Sequence, residues 1–169
     1  KSKILLGFSI PLSLTIIIAF VVYFSIGNLI ASSALVKHTH KVIAAGTELE
    51  KLMIDMESGE RGFLITGKDT FLEPFITSQK VWHTKIESLQ KLVSDNPIQI
   101  EKLVSIDQLQ RKWLADAAHV EIAKRRQVQQ SNISLDYMQK VLREGHGKNI
   151  LDKIRIELAL LENIFRQSN

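Results

Sequence analysis

The chain has 169 residues, 45% hydrophobic and 24% charged, with three prolines, eight glycines and no cysteine. That length admits one domain and a modest extra element, and the missing thiols exclude a disulfide scaffold, thiolate catalysis, a cysteine-ligated zinc site and an iron–sulfur cluster. The net charge of +4 is not a nucleic-acid footprint: setting aside Lys1 and Lys3 leaves 20 basic residues against 18 acidic ones, mixed along the chain.

The first element is apolar. No residue from 4 to 36 is charged. As a helix rising about 1.5 Å per residue, residues 4–30 would be roughly 40 Å long, enough to span a hydrocarbon core of about 30 Å with some tilt. Residues 1–36 are therefore expected to form a transmembrane helix with a short basic flank, and Pro11 lies near its start, where a proline is tolerated. A cleavable signal peptide, cut at Ala31-Ser32-Ser33, fits less well, because its apolar region runs only about 7–15 residues. Lys1 and Lys3 on one flank balance Lys37 and Lys41 on the other, so charge alone does not orient the span.

Beyond the anchor the apolar spacing is helical. Val42, Ala45, Leu49, Leu52, Met56 and Phe63 recur at three- and four-residue steps, with Gly59 on the same stripe. A second run carries Phe71, Phe75, Trp82, Ile86, Leu89 and Val93, and Asp95-Asn96-Pro97 stops it. A third carries Leu103, Ile106, Leu109, Trp113, Ala117 and Val120; a fourth, Leu151, Ile154, Leu158, Leu161 and Phe165, is an a/d heptad with charged flanks. No stretch alternates as a strand would. Short breaks favour antiparallel neighbours. The expected fold is all-α: a membrane helix continuous with an antiparallel up-down four-helix bundle over residues 37–169.

The breaks have their own chemistry. Gly67-Lys68-Asp69 separates the first two runs, and Thr70-Phe71-Leu72-Glu73 has the spacing of a capping box, with Pro74 in the first turn behind it. Between the third and fourth runs, Leu135, Met138 and Leu142 keep helical spacing up to Gly145-His146-Gly147. A turn near residues 131–134 and a weakened helix around Gly145 are expected. The fourth helix would run back toward the bilayer, so the chain reads as a fragment of a longer protein that continues into a second membrane helix.

Catalytic patterns are wanting. None of His38, His40, His83, His119 and His146 forms an i, i+4 pair with another, and none has a zinc-protease context. None is followed by the acidic residue expected of a kinase phosphoacceptor. Glu57-Ser58-Gly59-Glu60-Arg61-Gly62 lacks the preceding strand and following Lys-Ser/Thr of a phosphate loop. Lys124-Arg125-Arg126 follows Glu121 at helical spacing with few aromatics nearby, as on a solvated face. The expectation is no catalytic residue, no metal, no cofactor and no nucleic-acid partner.

One segment stands apart. Gly59 and Gly62 each cost a helix about 1 kcal/mol relative to alanine, a cost that close approach of another helix would explain. Glu57 and Arg61 stand at i, i+4 in the favourable orientation for an ion pair. The pattern Glu57-Ser58-Gly59-x-Arg61-Gly62-Phe63-Leu64-x-Thr66-Gly67, followed by Phe71-Leu72-Glu73-Pro74, resembles the signature of the third class of CHASE domain. Trp113 with Ile122 and Arg125-Arg126 is similar to that family's third helix, and Gly147 through Ile154-Arg155 to Glu162 and Arg166 to its last. At Ile164-Phe165 a leucine pair would be usual.

The resemblance implies a bacterial extracytoplasmic sensory domain between two membrane helices, in the periplasm or outside the cell. Its output would be a histidine kinase, a methyl-accepting chemoreceptor or a nucleotide cyclase lying outside this chain. The signal would pass across the inner membrane as shifts of packed helices, in a homodimer, in response to a small ligand or an envelope protein. On this reading Glu57, Gly59, Arg61, Gly62, Phe63, Thr66, Gly67, Glu73 and Pro74 are the signature and candidate signal-sensing residues. A membrane-anchored structural or adaptor protein with a helical spacer is the alternative.

Overall fold

The computed structural model describes residues 2–131 and 146–167, and the side chains of 12–27, 33, 36–130 and 147–165. Five α-helices are described: α1 (Ser2–Thr66), α2 (Glu73–Leu92), α3 (Pro97–Trp113), α4 (His119–Ser131) and α5 (His146–Gln167). A 3-10 turn, Asp69–Leu72, precedes α2, and a π turn, Leu114–Ala118, joins α3 to α4. No strand occurs among the described residues.

The chain separates into two compact units, one of residues 1–40 and one of residues 41–168. In the first, the large apolar side chains of α1 are exposed, from Val22 at 48% to Tyr23 at 76%. Phe20 and Phe24 meet one turn apart, with ring centres 4.6 Å apart and the rings tilted by 47°. Among the described residues no helix is long and apolar enough to cross a membrane; side chains 4–11, 28–32 and 34–35 of the uncharged stretch lie outside that description.

The second unit is built around one core. Val42, Leu49, Met56 and Phe63 from α1 meet Phe75, Trp82, Ile86 and Leu89 from α2, Leu103, Ile106 and Trp113 from α3, and Leu151, Ile154, Leu161 and Phe165 from α5. The heptad read for the last run is thus its buried face. In the second run Phe71 departs from the stripe, at 44% exposure. Polar ties stitch the same helices together: Trp82 Nε1 donates to Asp107 at 3.0 Å, Lys102 reaches Glu157 at 2.8 Å and Lys85 reaches Glu48 at 2.7 Å.

Local chemistry explains the ends. Gly67, at φ +71°, closes α1 by donating its N–H to Phe63 O at 2.7 Å, a conformation that glycine adopts without steric penalty. Asn96 caps α3, its side chain accepting from the Gln99 N–H at 3.2 Å, with Pro97 as the first helical residue. The capping box expected at Thr70–Glu73 does not form. The 3-10 turn runs directly into α2, so the Glu73 N–H donates to the Thr70 carbonyl and no side-chain cap is made. Pro74 does lie in the first turn.

The third run also departs from expectation. Its buried residues are Leu103, Ile106, Gln110, Trp113, Ala117, Ala118, Ile122, Arg125 and Val128, whereas Val120 is 40% exposed and Leu109 only partly buried. A π turn holds an extra residue per turn. Side chains beyond it are displaced by one position, about 100° around the helix axis. α4 is described as far as Ser131; the turn expected at 131–134, the run through Leu135, Met138 and Leu142, and Gly145 lie outside the described residues. Gly147 stands inside α5, one residue from its start.

Candidate functional site

The last turns of α1 gather the signature residues. Gly59 and Gly62 face the start of α2 and the turn before it. A Cβ on Gly59 would lie 2.8 Å from the backbone N of Phe75, and one on Gly62 would lie 2.7 Å from Cδ1 of Phe71. Close approach is therefore their use: only a residue without a side chain admits the Phe75 backbone, while Phe71 folds over Gly62. Phe63, fully buried, fills the core beneath, and Arg126 of α4 stands over its ring with the guanidinium 5.7 Å from the centre.

Glu57 is buried and meets two cations. Arg61 Nη2 lies 2.9 Å from Glu57 Oε1, as a charge contact without hydrogen-bond alignment, and Arg155 of α5 donates to Oε2. Arg155 also reaches Asp152 at 3.3 Å. The pairing read from sequence is present, and a second arginine from a distant helix completes it.

Three residues on, Glu60 is buried among different neighbours. It hydrogen-bonds Glu121 of α4. Burial, first, and then the Glu121 charge and hydrogen bond push the Glu60 carboxyl up to about 8; Glu57 acts in the same direction and Arg61 against it. At neutral pH Glu60 keeps its proton and can donate it to the Glu121 carboxylate. The pair opens on a cleft of ≈ 120 Å³ lined also by Arg61, Trp113, Gly147 and Lys148, with Leu64 and Leu151 as its apolar residues.

Thr66 and Gly67 do local work. The Thr66 hydroxyl donates to the Gly62 carbonyl at 2.7 Å and accepts the Lys68 N–H at 3.2 Å. The Gly67 carbonyl accepts from Gln129 Nε2 at 2.5 Å, and a Cβ there would fall 2.7 Å from a guanidinium nitrogen of the buried Arg125. Glu73 and Pro74 are exposed at the start of α2.

Of the nine residues singled out from sequence, Glu57, Gly59, Arg61, Gly62 and Phe63 come together in one packed end of α1. Thr66 and Gly67 shape the turn after it, and Glu73 and Pro74 stand apart. Sequence reasoning missed Glu60, Glu121, Trp113, Lys148 and Arg155 as a group. One signal for Glu60 was available: with Leu49, Met53, Met56 and Phe63 it falls in the four-three rhythm of the buried face, where a carboxyl is out of place. Elsewhere His83 pairs with Glu87 and His119 with Gln79, each at 3.2 Å. Among the described residues no group of three or more acidic or histidine side chains could hold a metal ion.

Three comparisons bear on this arrangement. The family model described as the CHASE3 domain matches residues 32–168. Among solved structures, the chain is similar to the sensor domain of the histidine kinase HK9 from Rhodopseudomonas palustris. The TM-score is 0.59 and the identity 18%, over 76% of this chain and 95% of that one, a likeness of fold. No curated protein matches the chain.

Proposed function

The chain belongs to the CHASE3 domain family, a family of sensory domains, and we propose that it is the extracytoplasmic input of a bacterial transmembrane receptor of the histidine kinase or methyl-accepting chemoreceptor type. The observation that carries this reading is the family match over residues 32–168. The likeness of fold to a histidine kinase sensor domain accords with it.

In this reading residues 1–36 anchor the chain in the inner membrane. Support comes from the uncharged run 4–36 and from the exposed apolar side chains of the first unit, which water would not favour. The anchor continues into an antiparallel up-down four-helix bundle, with α3 and α4 forming one rod through the π turn. A homodimer with a second membrane helix after the bundle would pass small helix shifts to an output domain. The chemistry of the output belongs to that domain.

The test is a deletion. Removing residues 42–161 from the parent receptor, with its membrane segments kept, should abolish stimulus-dependent output in intact cells while the isolated output domain keeps its activity. Wild-type responses from the deleted receptor would overturn the sensory reading and favour a passive helical spacer.

A further inference from the structure

The five arginines whose side chains are described divide against the usual order of burial and pairing. Arg61, Arg111, Arg126 and Arg155, with side chains 48–63% exposed, each meet a carboxylate. Arg125 of α4 is 8% exposed and meets none among the described residues, and its buried Nε has no hydrogen-bond partner. The segment Lys124-Arg125-Arg126, read from sequence as a solvated face, thus turns its middle residue inward. A buried carboxyl escapes an unfavourable charge by taking a proton, whereas a guanidinium stays charged at any pH a protein meets. Burying that charge without an anion is costly.

The guanidinium lies against the turn that follows α1. Gly67, at φ +71°, makes room for it: a Cβ there would fall 2.7 Å from Nη2 and 3.1 Å from Cζ. Arg126 reaches the same turn from α4, its Nη2 3.4 Å from Asp69 Oδ1, a long contact with a carboxylate that is 80% exposed. Lys68 stands exposed between Gly67 and Asp69. Gln129, one turn beyond Arg125, holds the Gly67 carbonyl with its amide. The carbonyl dipoles at the end of α1 offer about half a negative charge, less than the full positive charge of Arg125. Lys68, Arg125 and Arg126 set three positive charges against the one negative charge of Asp69, so the turn carries a net +2.

We propose that the turn Gly67–Asp69, with Arg125 and Arg126 of α4, binds a phosphate-type oxyanion. The fork of N–H donors on a guanidinium matches two oxygens of such a group. A dianion balances the net charge of the turn, where a monocarboxylate leaves half of it. Arg125 is the principal donor, because no carboxylate among the described residues meets it. Arg126 and Lys68 add charge at the exposed rim. As a stimulus the anion rests on the sensory reading, but its binding does not, and the two fail separately: the chain alone tests the turn, and the receptor deletion tests sensing.

Titration calorimetry and thermal unfolding of residues 1–169 in detergent micelles, at pH 7.5 and fixed ionic strength, would use inorganic phosphate, glycerol 3-phosphate and acetate as probes. Phosphate should bind saturably and about tenfold or more tightly than acetate. Tighter binding of glycerol 3-phosphate than of phosphate would support the site with an ester as its source; the reverse order would support it with the free ion. Arg125→Met, which keeps the stem and removes the charge, should weaken phosphate binding by about tenfold or more. Without phosphate it should melt no lower than the wild-type chain, because an unpaired buried charge is gone. Arg125→Lys, which keeps the charge and removes the fork, should also bind more weakly, and Arg126→Gln should lose only a few-fold. Absence of saturable phosphate binding, acetate binding as tightly as phosphate, or wild-type affinity in both Arg125 variants would each overturn the proposal. So would an equal rise in melting temperature with phosphate in wild type and Arg125→Met, which is the general effect of the salt.

Discussion

Glu57 and Glu60 lie three residues apart on α1, and both are buried, yet their surroundings are opposite. Glu57 meets Arg61 from its own helix and Arg155 from α5. Glu60 meets a second carboxyl, Glu121, from α4. The same side chain is a structural anion at one position and a proton carrier less than a turn further on. Both acids are buried, and what the helix opposite adds, an arginine to one and a carboxyl to the other, separates their roles.

The largest test removes the charge at each position. Because the Glu60 carboxyl is raised from 4.5 to about 8, native and unfolded chains both hold its proton below about pH 4.5. Between there and pH 8 the unfolded chain gives the proton up and the folded one keeps it, so stability falls as pH rises through this window. Glu60→Gln cannot titrate and loses that slope. At pH 9 it should be more stable than the wild-type chain by up to about 4 kcal/mol, and at pH 4 nearly equal to it. Urea unfolding at the two pH values measures this; an unchanged slope would mean that Glu60 is solvated.

The second test is steric and concerns the helix just beyond the two acids. Gly62→Leu would drive a side chain into Phe71, whose ring lies 2.7 Å from the position of the new Cβ. It should destabilise the chain by about 2–3 kcal/mol in thermal unfolding, as overpacking does. Lys68→Leu, in the exposed turn that follows, should stay within about 0.5 kcal/mol. Similar melting temperatures for the two variants would remove the close-packing role of the glycine.

These tests also mark what the sequence made readable. Gly59 and Gly62 inside a helix announce close approach because their helical cost demands a return, and Gly67 before an exposed turn announces a left-handed end. Asn96-Pro97 carries its stop signal in the residues themselves. Such features are local, and local chemistry is written locally. The failed capping box shows the boundary: Thr70 and Glu73 have the right spacing, but the 3-10 turn supplies a backbone acceptor first. The π turn at Leu114–Ala118 displaces the buried face by one residue, so Ile122 is inside and Val120 outside; no residue in the turn advertises the shift. Glu121 becomes the partner of Glu60 only after that shift and 60 residues of intervening chain, which periodicity on one helix does not foresee.

A third test makes at Glu57 the substitution already made at Glu60. Glu57→Gln removes the charge from two arginine contacts and should destabilise the chain at neutral pH by about 1–2 kcal/mol, since both arginines are half exposed and find water instead. The opposite signs of Glu57→Gln at pH 7 and Glu60→Gln at pH 9 are the comparison in measurable form. Stabilisation by both would mean that burial, and not the partner, decides the behaviour of these acids.

The smallest effect concerns how Glu57 is held. Arg61 sits at i+4 with 57% exposure, and pairs of that kind contribute a few tenths of a kcal/mol. Arg155 comes from α5 and also ties α1 to its neighbour, so its loss should cost somewhat more, about 1 kcal/mol at most, given its 48% exposure. Either single alanine variant leaves Glu57, whose side chain is 7% exposed, with one cation. The double variant Arg61→Ala/Arg155→Ala leaves the carboxylate buried with neither, and its penalty should exceed the sum of the singles by about 0.5–1 kcal/mol. A double-mutant cycle by urea unfolding reads this coupling directly. Additivity within about 0.3 kcal/mol would show that Glu57 draws its support elsewhere, and the contrast with Glu60 would then rest on burial alone.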